Sequence, residues 1–322
     1  MHISTRRRIA RTLTIGCTCI LMILVVIGFT GQVFAVGDSI ALLRPQAGVL
    51  LLPCAVILLF MRARYLALAT LLFSGVAIGS IAASVAAPSD DCDDSCLTLY
   101  QKNLMSKAWP RYSLADDILE SGAQIVTLQE VSSHNRKYMS NLFEHYPEQA
   151  ICEFRTEQNV AILTTLPIVE NSEFCLQGYG LVGLQVKAPG GDLVWVVSVH
   201  LNWPFPYDQS RQSQVIADRI SQLEGPVLIA GDFNMVPWGE SVRRIGAAAN
   251  NQSFGTVLNT HNLGSWKIPL PIDNLLFPKG TTGTVELRPF MGSDHLGKLA
   301  RFRLGLDFGQ ARRRMLPYKQ AA

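Results

Sequence analysis

Charged residues are absent from two long stretches of the chain, Leu13–Val36 and Tyr65–Ala87. Each stretch exceeds the roughly 20 apolar residues with which an α-helix crosses the hydrocarbon core of a bilayer. A surface helix of a water-soluble domain would need a polar face, and neither stretch offers one. The sequence therefore predicts two membrane-spanning helices in its first 90 residues.

A third span is expected between them, although its apolar run is shorter. Ala47–Met61 contains Pro53 and, at about 1.5 Å per residue, falls short of a bilayer core of about 30 Å. It reaches the required length only if Ala41–Leu43 joins the helix and the Arg44 side chain extends to the membrane surface. Two spans remain the alternative to three.

Positive charge is scarce in one of the two loops between these helices, which predicts their orientation. Arginines precede the first run and separate the second run from the third, at Arg6, Arg7, Arg8, Arg11, Arg62 and Arg64. The first loop contains only Arg44. Because positively charged loops stay in the cytoplasm, three spans place the rest of the chain outside, whereas two spans would violate the rule. We expect a multi-pass protein of the bacterial inner membrane with an extracytoplasmic domain.

The first apolar run also fits a secretory signal peptide. Arginines precede it, and Phe34–Val36 lies where cleavage would fall. The run is long for the apolar region of a signal peptide, and further apolar runs follow. We therefore expect an uncleaved helix.

Cysteine is scarce, with seven in 322 residues. Three lie in the apolar segments, and four lie beyond them, at Cys92, Cys96, Cys152 and Cys175. An even number suits disulfides in an oxidising compartment, and Cys92–Cys96 and Cys152–Cys175 are the natural pairs. Four unpaired thiols are the alternative. A zinc site is less favoured, because no suitably spaced histidine accompanies these cysteines.

An excess of basic residues is also lacking after the apolar segments. Leu97–Leu304 contains 17 Lys and Arg against 19 Asp and Glu, a net charge of −2, whereas the whole chain carries +3. Nucleic-acid-binding domains usually present a basic face, so only a local basic patch remains open. We expect a membrane region at 1–88, an acidic linker at 89–96, one folded domain at 97–304 and a basic tail at 305–322.

Short apolar runs recur along this domain, and residues suited to catalysis follow them. They are Asn103 in LYQKNL, Glu130 in TLQEV, His200 in SVHLNWP, Asp232 and Asn234 in IAGDFN, Asp273 in PIDNLLF, and Asp294 and His295 in GSDHL. Each motif alone fits a turn, a helix cap or a solvated strand end. In a layered α/β fold, however, strand ends border one crevice, so the ordered set predicts a single site.

With these motifs the chain resembles the endonuclease/exonuclease/phosphatase superfamily. The resemblance covers about Leu97 to Leu304 and is sharpest at LQEV, GDFN and SDH. It implies a four-layer α/β/β/α sandwich of two mainly antiparallel sheets, here preceded by transmembrane helices. It also implies a metal-dependent phosphohydrolase or phosphodiesterase.

The resemblance assigns a role to each motif. Glu130 with Asn103, and Asp294 as a further contributor, would hold Mg²⁺ or Mn²⁺, which prefer hard oxygen ligands. The His295–Asp273 pair would either take a proton from water or stabilise the phosphate, and His200 would donate to the phosphoryl group. Asp232 would position the attacking water or serve the leaving group.

Asn234 would hold a phosphate oxygen. One position departs from the family pattern, because Asn274 follows Asp273 where histidine is common. Trp203 and Trp238 follow two of the motifs closely, and each fits either a substrate groove or ordinary packing.

Three functions are weighed on this basis. The favoured one is a membrane-anchored phosphohydrolase that acts outside the cell on a lipid or lipid-linked phosphate, because the anchor concentrates the site near such substrates. The layout is similar to teicoplanin-resistance proteins of the VanJ type, which implies polyprenyl pyrophosphate as a substrate. An extracytoplasmic nuclease acting on nucleic acid is the first alternative. A catalytically silent membrane-anchored binding protein is the second.

Overall fold

The computed structural model describes residues 2–82, 96–107 and 112–305. The first helices are α1 (His2–Ile27), α2 (Ala35–Ala41), α3 (Arg44–Phe60) and α4 (Arg64–Ala82), and the later ones are α5 (Tyr112–Glu120), α6 (Ser133–Tyr138), α7 (Ser140–His145), α8 (Gln209–Ile220) and α9 (Glu240–Ala248). The expected linker at 89–96 and tail at 305–322 lie almost entirely outside the described residues, so these two boundaries stay predictions.

The strands all follow the N-terminal helices. They are β1 (Leu97–Asn103), β2 (Ile125–Val131), β3 (Glu148–Arg155), β4 (Gln158–Thr164), β5 (Phe174–Leu176), β6 (Leu181–Lys187), β7 (Leu193–His200), β8 (Val227–Asp232), β9 (Asn251–Ser253), β10 (His261–Leu263), β11 (Ile268–Leu270), β12 (Asp273–Pro278), β13 (Thr282–Arg288) and β14 (Gly297–Arg303).

Twelve of these strands form two six-stranded sheets of similar design. The first has the order β13-β14-β1-β2-β4-β3 and the second β5-β6-β7-β8-β12-β9. Each sheet is antiparallel except for one central parallel pair, β1 with β2 and β7 with β8. A parallel pair needs a crossover connection, which α5 and α8 provide. The prediction of two mainly antiparallel sheets is confirmed.

Three hydrophobic clusters order these elements into four layers. Between the sheets, side chains such as Leu99, Ile162, Val196 and Phe302 pack together. On the outer face of the first sheet, residues of α5 and α7 cover β1, β2 and β4. On the outer face of the second sheet, residues of α8 and α9 cover β7 and β8. The four-layer α/β/β/α sandwich is therefore observed.

One disulfide joins the edges of the two sheets. Cys152 in β3 and Cys175 in β5 are bonded, with their Cα atoms 5.4 Å apart. This predicted pair is therefore confirmed. Cys92, the predicted partner of Cys96, lies outside the described residues, so that pair stays a prediction.

The N-terminal helices include two that are long and apolar enough to cross a membrane, Thr5–Ile27 and Arg64–Ile81. A third span arises only if α2 and α3 count as one, and they are bent by 62° at their junction. Ala41–Leu43 does not lengthen α3, because α2 ends at Ala41 and α3 begins at Arg44. The Arg44 side chain is buried and donates to the carbonyl of Gly28 at 2.9 Å, so it packs against the end of α1.

Helix α2 packs directly against the sandwich. Its Asp38 carboxylate accepts hydrogen bonds from the backbone N–H of Glu240 at 2.7 Å and from the Ser241 hydroxyl at 2.9 Å. The Trp238 indole donates to the carbonyl of Ala41 at 2.8 Å. Asp38 thus supplies from another element the cap that α9 lacks at its own N-terminus, where Gly239 has no side chain to accept these bonds.

Sequence patterns predicted most central elements, with three notable differences. The spacing of Tyr138, Leu142 and Phe143 on one face predicts a single helix over His134–His145, but the structure has two short helices that break at Met139. The sequence also offers Ser113 as the cap of a helix that begins at Leu114, but α5 already begins at Tyr112. The edge strands and α9 were not predicted, since these segments are short or lack a sustained apolar period.

Candidate active site

The strand ends bring most of the predicted residues into one place. Asn103, His200 and Asp232 are the last residues of β1, β7 and β8, and Glu130 lies one residue before the end of β2. Because β1 with β2, and β7 with β8, run parallel, these ends share one edge of the sandwich. Antiparallel β12 begins there, with Asp273 opposite Asp232 in register.

His295 and Asp273 form a buried ion pair. The Nδ1 atom of His295 lies 2.8 Å from Oδ2 of Asp273, and both side chains are almost fully buried. Burial lowers the pKa of His295, but the carboxylates of Asp273 and Asp232 outweigh it and raise the pKa to about 10. Burial acts to raise the pKa of Asp273, whereas His295 lowers it to about 2. The pair is therefore an imidazolium facing a carboxylate at neutral pH.

Asp232 lies at the centre of the cluster. Its Oδ2 atom accepts a hydrogen bond from the Asn103 amide at 2.9 Å and lies 3.6 Å from Nε2 of His200 and 3.8 Å from Nε2 of His295. Burial, opposed by the charge of His295, raises the pKa of Asp232 to about 7. A carboxyl group with this pKa can exchange a proton near neutral pH, which suits general acid or base catalysis.

The carboxylate of Glu130 is more accessible than that of Asp232. It accepts hydrogen bonds from the backbone N–H of Ser106 at 2.9 Å and from the Asn103 amide at 3.3 Å. Burial acts to raise the pKa of Glu130, but His200 and these donors hold it below its ordinary value. The backbone φ of 55° at Glu130 coincides with a break in the register between β2 and β4, which aims the side chain away from the regular strand.

His200 differs from His295 in its charge state. Burial lowers its pKa to about 4, so the ring is neutral at physiological pH. Its ring packs edge-on against Phe154 at 5.1 Å between centroids. Its Nδ1 atom is buried and has no hydrogen-bond partner among the described residues. A neutral imidazole can donate one hydrogen bond to a phosphoryl oxygen.

The two asparagines beside the aspartates have different partners. The Asn234 amide donates to the carbonyl of Leu201 at 2.8 Å, and its backbone N–H donates to Asp232 at 2.8 Å. Asn274, the position that departs from the family pattern, donates to the carbonyls of Met235 and Ile272 at 2.8 and 3.0 Å. Asn274 therefore fixes the backbone behind the site and does not line the cavity.

A cavity of about 390 Å³ opens over this cluster. Glu130, His200, Asp232, Asn234, Asp294 and His295 line it, together with Arg155, Trp203, Tyr207 and His261. Asn103 and Asp273 lie directly behind these residues, in contact with Glu130, Asp232 and His295. All eight predicted site residues thus lie in or directly behind one cavity.

Among the described residues, two groups of carboxylates and histidines are close enough to hold a metal ion. One is Asp232, Asp273 and His295, and the other is His261, Asp294 and His295, each with candidate ligand atoms within 4.8 Å of one another. Asp273 and His295 are already paired in the first group. Neither group contains Glu130, which instead contacts Asn103 at 3.3 Å, and the exposed Asp294 lies with His261 and His295. The ligand set of Asn103, Glu130 and Asp294 therefore stays a prediction.

Several residues of the site escaped sequence analysis. His261 lies in the three-residue strand β10, and its ring is 4.5 Å from that of His295. Gln101 donates to Asp273 and to Gln129 at 2.8 Å each, and Gln129 donates to Ser198 at 3.0 Å. This buried chain of polar side chains links the two sheets behind Asp273. The polar residues at alternate positions of β1, β2 and β7 were the only signal for it.

Trp203 and Trp238, which the sequence left open, are distinguished by their surroundings. Trp203 lines the cavity, and its ring lies 6.1 Å from that of His261. Trp238 is buried in the outer hydrophobic cluster and bonds to α2. Trp203 thus fits the interpretation as part of a substrate groove. Trp238 instead packs in the hydrophobic cluster and holds α2 through its bond to Ala41.

This sandwich carries a buried His–Asp pair and further carboxylates at its strand ends. It is the arrangement that the sequence resemblance implies for a phosphoester hydrolase. The model of the Endonuclease/Exonuclease/phosphatase family matches residues 107–295, more than half of the chain. The chain belongs to this family, whose members hydrolyse phosphoesters and typically use a divalent metal ion.

Solved structures share the fold at low sequence identity. A family member from Bacteroides vulgatus is 14% identical, with a TM-score of 0.54, and the match covers 66% of this chain and 100% of that one. One from Beutenbergia cavernae is 18% identical, with a TM-score of 0.52, over 66% of this chain and 72% of that one. A humanized D. rerio TDP2 is 18% identical, with a TM-score of 0.52, over 65% and 100%. No curated protein matches the chain.

Proposed function

We propose that the chain is a membrane-anchored, divalent-metal-dependent phosphohydrolase, with an active site outside the cytoplasm, that acts on a lipid or lipid-linked phosphate. The observation that carries the proposal is the attachment of the sandwich to the apolar helices through Asp38, Ala41 and Trp238. A flexible tether would leave the site free to move away from the bilayer, whereas this packing keeps it beside the membrane helices.

The arrangement of the helices supports the outward orientation. Arg44 at the start of α3 contacts Gly28 and Phe29 just after the end of α1, so the two helices run in opposite directions. The sandwich packs at this end. Arg62 follows the other end of α3, about 25 Å away at 1.5 Å per residue. The basic residues before α4 thus lie at the end remote from the sandwich, as the positive-inside rule requires for an external domain.

The residues of the cavity fit a divalent cation. Glu130 supplies a hard carboxylate oxygen next to Asn103, and Asp294 offers another at the rim. When bound, such an ion would polarise the phosphoryl group and neutralise its charge. We propose Glu130 as the principal ligand, because its carboxylate is the most accessible of those near Asn103.

The protein groups then divide the remaining work. The imidazolium of His295, held by Asp273, can stabilise negative charge on the phosphoryl oxygens. Neutral His200, whose Nε2 approaches the same Oδ2 atom of Asp232 as that of His295, can donate a hydrogen bond to a phosphoryl oxygen. Asp232, with its pKa near 7, can take a proton from the attacking water or return one to the leaving group.

A substrate comparison tests the proposal. The full chain in lipid nanodiscs is incubated with Mg²⁺ and polyprenyl pyrophosphate, and separately with plasmid DNA. We expect phosphate release from the lipid that stops when a chelator removes the metal, with little nicking of the plasmid. Rapid nicking without phosphate release would favour the nuclease alternative and overturn the proposed substrate.

A further inference from the structure

The loop that follows His200 connects the active site to the membrane region. Residues 203–207 have the sequence Trp-Pro-Phe-Pro-Tyr, and we call this segment the aromatic lip. Trp203 and Tyr207 line the cavity of the active site. Two prolines within five residues restrict the backbone, so the loop presents its side chains with little conformational freedom.

The lip exposes apolar surface that the fold does not cover. Phe205 is 53% exposed and Tyr207 is 60% exposed. Single exposed aromatics are common on protein surfaces. Here, however, two of them adjoin the mouth of a cavity lined by charged and polar groups.

The same loop is held by the membrane region. The Ser39 hydroxyl of α2 donates to the carbonyl of Phe205 at 2.8 Å. Helix α2 is in turn fixed to α9 through Asp38 and to Trp238 through Ala41. Residues Val33 and Phe34, directly before α2, are 74% and 63% exposed. Exposed apolar side chains therefore lie both directly before α2 and in the lip that α2 holds.

We propose that the aromatic lip inserts into the membrane interface and receives the apolar chain of a lipid substrate, so that the polar head enters the cavity beside His200. The inference rests on the proposed membrane location of α1, α3 and α4. Aromatic side chains favour the interface, because an apolar ring can enter the lipid while a polar tip stays hydrated. The covering partner is therefore the bilayer, with which the lip is continuous through α2.

The position of the lip can be measured without any enzymatic activity. The free cysteines Cys17, Cys19 and Cys54 are replaced by alanine, and Phe205→Cys is labelled with an environment-sensitive fluorophore in nanodiscs. Lys187→Cys provides the matched control, because the register of β6 with β7 places Lys187 beside Leu193, at the end of β7 opposite His200.

Nitroxide-labelled lipids should quench the label at position 205 several-fold more strongly than the label at position 187. Equally weak quenching at the two positions would overturn the proposal. Because this result does not require turnover, it stands even if the proposed substrate is wrong.

A second experiment tests the role of the lip in substrate access. Phe205 contacts no reacting group, so Phe205→Gln should leave hydrolysis of a water-soluble phosphodiester unchanged. On polyprenyl pyrophosphate in a bilayer, its rate should fall about tenfold, as expected for removing one buried aromatic contact. Phe205→Leu should retain most of the rate. An equal fall on both substrates, or no fall on either, would contradict the proposal.

Discussion

Asp273 couples two features of the site, since it orients His295 and connects it to the buried chain through Gln101. Replacing it with asparagine preserves the size of the side chain but removes the charge that keeps His295 protonated. We expect Asp273→Asn to lower the turnover number by about 10²–10⁴-fold, the range typical of a lost acid–base group. The measurement is phosphate release by the full chain at saturating substrate.

Asp218→Asn is the matched control for this change, because Asp218 is exposed on α8. It should leave turnover unchanged. If Asp273→Asn retained more than half of the wild-type turnover, the His295–Asp273 pair would not act in catalysis.

The role of Asn274, which follows Asp273 in the PIDNLLF motif, could not be predicted from sequence. Its amide donates to the buried carbonyls of Met235 and Ile272, so Asn274→Ala removes a donor from each. The Ile272 carbonyl keeps the backbone N–H of Phe233 at 2.9 Å, so the loss falls on the Met235 carbonyl. The expected cost is about 1–3 kcal/mol of stability, seen as a lower midpoint of thermal unfolding. Asn262→Ala, at an exposed position of β10, is the control. An unchanged midpoint for Asn274→Ala would mean that water replaces the amide.

The residues that sequence predicted and those it missed differ in their context. His200 and Asp232 are the last residues of strands with a clear apolar run, and Glu130 lies one residue before the end of such a strand. The sequence pattern therefore located all three. His261 lies in a three-residue strand, and Gln101 resembles any polar residue in a half-buried strand. Their importance arises from contacts with residues 34 and 172 positions away in sequence, which no local pattern records.

At the scale of elements, one ion pair ties an outer helix to the first sheet. Asp117 of α5 accepts hydrogen bonds from the Tyr100 hydroxyl of β1 at 2.6 Å and from the Arg288 guanidinium of β13. Burial acts to raise the pKa of Asp117, but Arg288 and Tyr100 outweigh it and hold the pKa below 3.8. The ionised carboxylate therefore stabilises the fold above about pH 4, and this contribution is lost as the pH falls through the lowered pKa.

Asp117→Asn should remove this dependence on acid. The thermal midpoint of the wild type should fall more steeply below pH 4 than that of the variant, while both should be flat with respect to this group near pH 7. Asp116→Asn provides the control, because Asp116 is the exposed neighbour of Asp117 on α5. Parallel acid profiles for wild type and Asp117→Asn would contradict the assignment.

The disulfide between β3 and β5 predicts a second effect at this scale. It closes a loop with a sequence separation of 23 residues between the edges of the two sheets. Replacing Cys152 and Cys175 together with alanine should cost about 3 kcal/mol of stability. The measurement is the thermal midpoint with and without reductant. If the reductant lowered the midpoint of the double variant as much as that of the wild type, this bond would not be the source of the effect.

The sheets were easier to predict than their edges. The central strands carry continuous apolar runs because they are buried on both faces, and this signal survives in sequence. Strands β9, β10 and β11 have three residues each, and β13 is largely exposed, so no apolar period marks them. Their pairing depends on partners that only the folded chain supplies.

At the scale of the whole molecule, the apolar N-terminal helices and the sandwich pack against each other through α2. The sequence predicted apolar spans and a separate domain, but not that α2 would cap α9. Asp38 lay in what resembled a loop between two spans, and nothing local marks its contact with a helix 202 residues further along. Ala41 and Leu42 likewise join the core on the outer face of the second sheet.

The proposed orientation leads to a prediction for intact cells. Lys187→Cys, in the background lacking Cys17, Cys19 and Cys54, should react with a membrane-impermeant maleimide added outside, once the outer envelope is opened. A cysteine at Arg62, between α3 and α4, should react only after the inner membrane is permeabilised. Labelling of the Arg62 position alone from outside would reverse the orientation.

The most direct test of the central claim compares the wild type with His295→Ala on polyprenyl pyrophosphate in a bilayer, with Mg²⁺ and again after chelation. His145→Ala, at an exposed position of α7, is the matched control. The account predicts that the wild type and His145→Ala release phosphate, that chelation stops both, and that His295→Ala is nearly inactive. Equal phosphate release by His295→Ala and the wild type would contradict it, and no release by the wild type would exclude this lipid as the substrate.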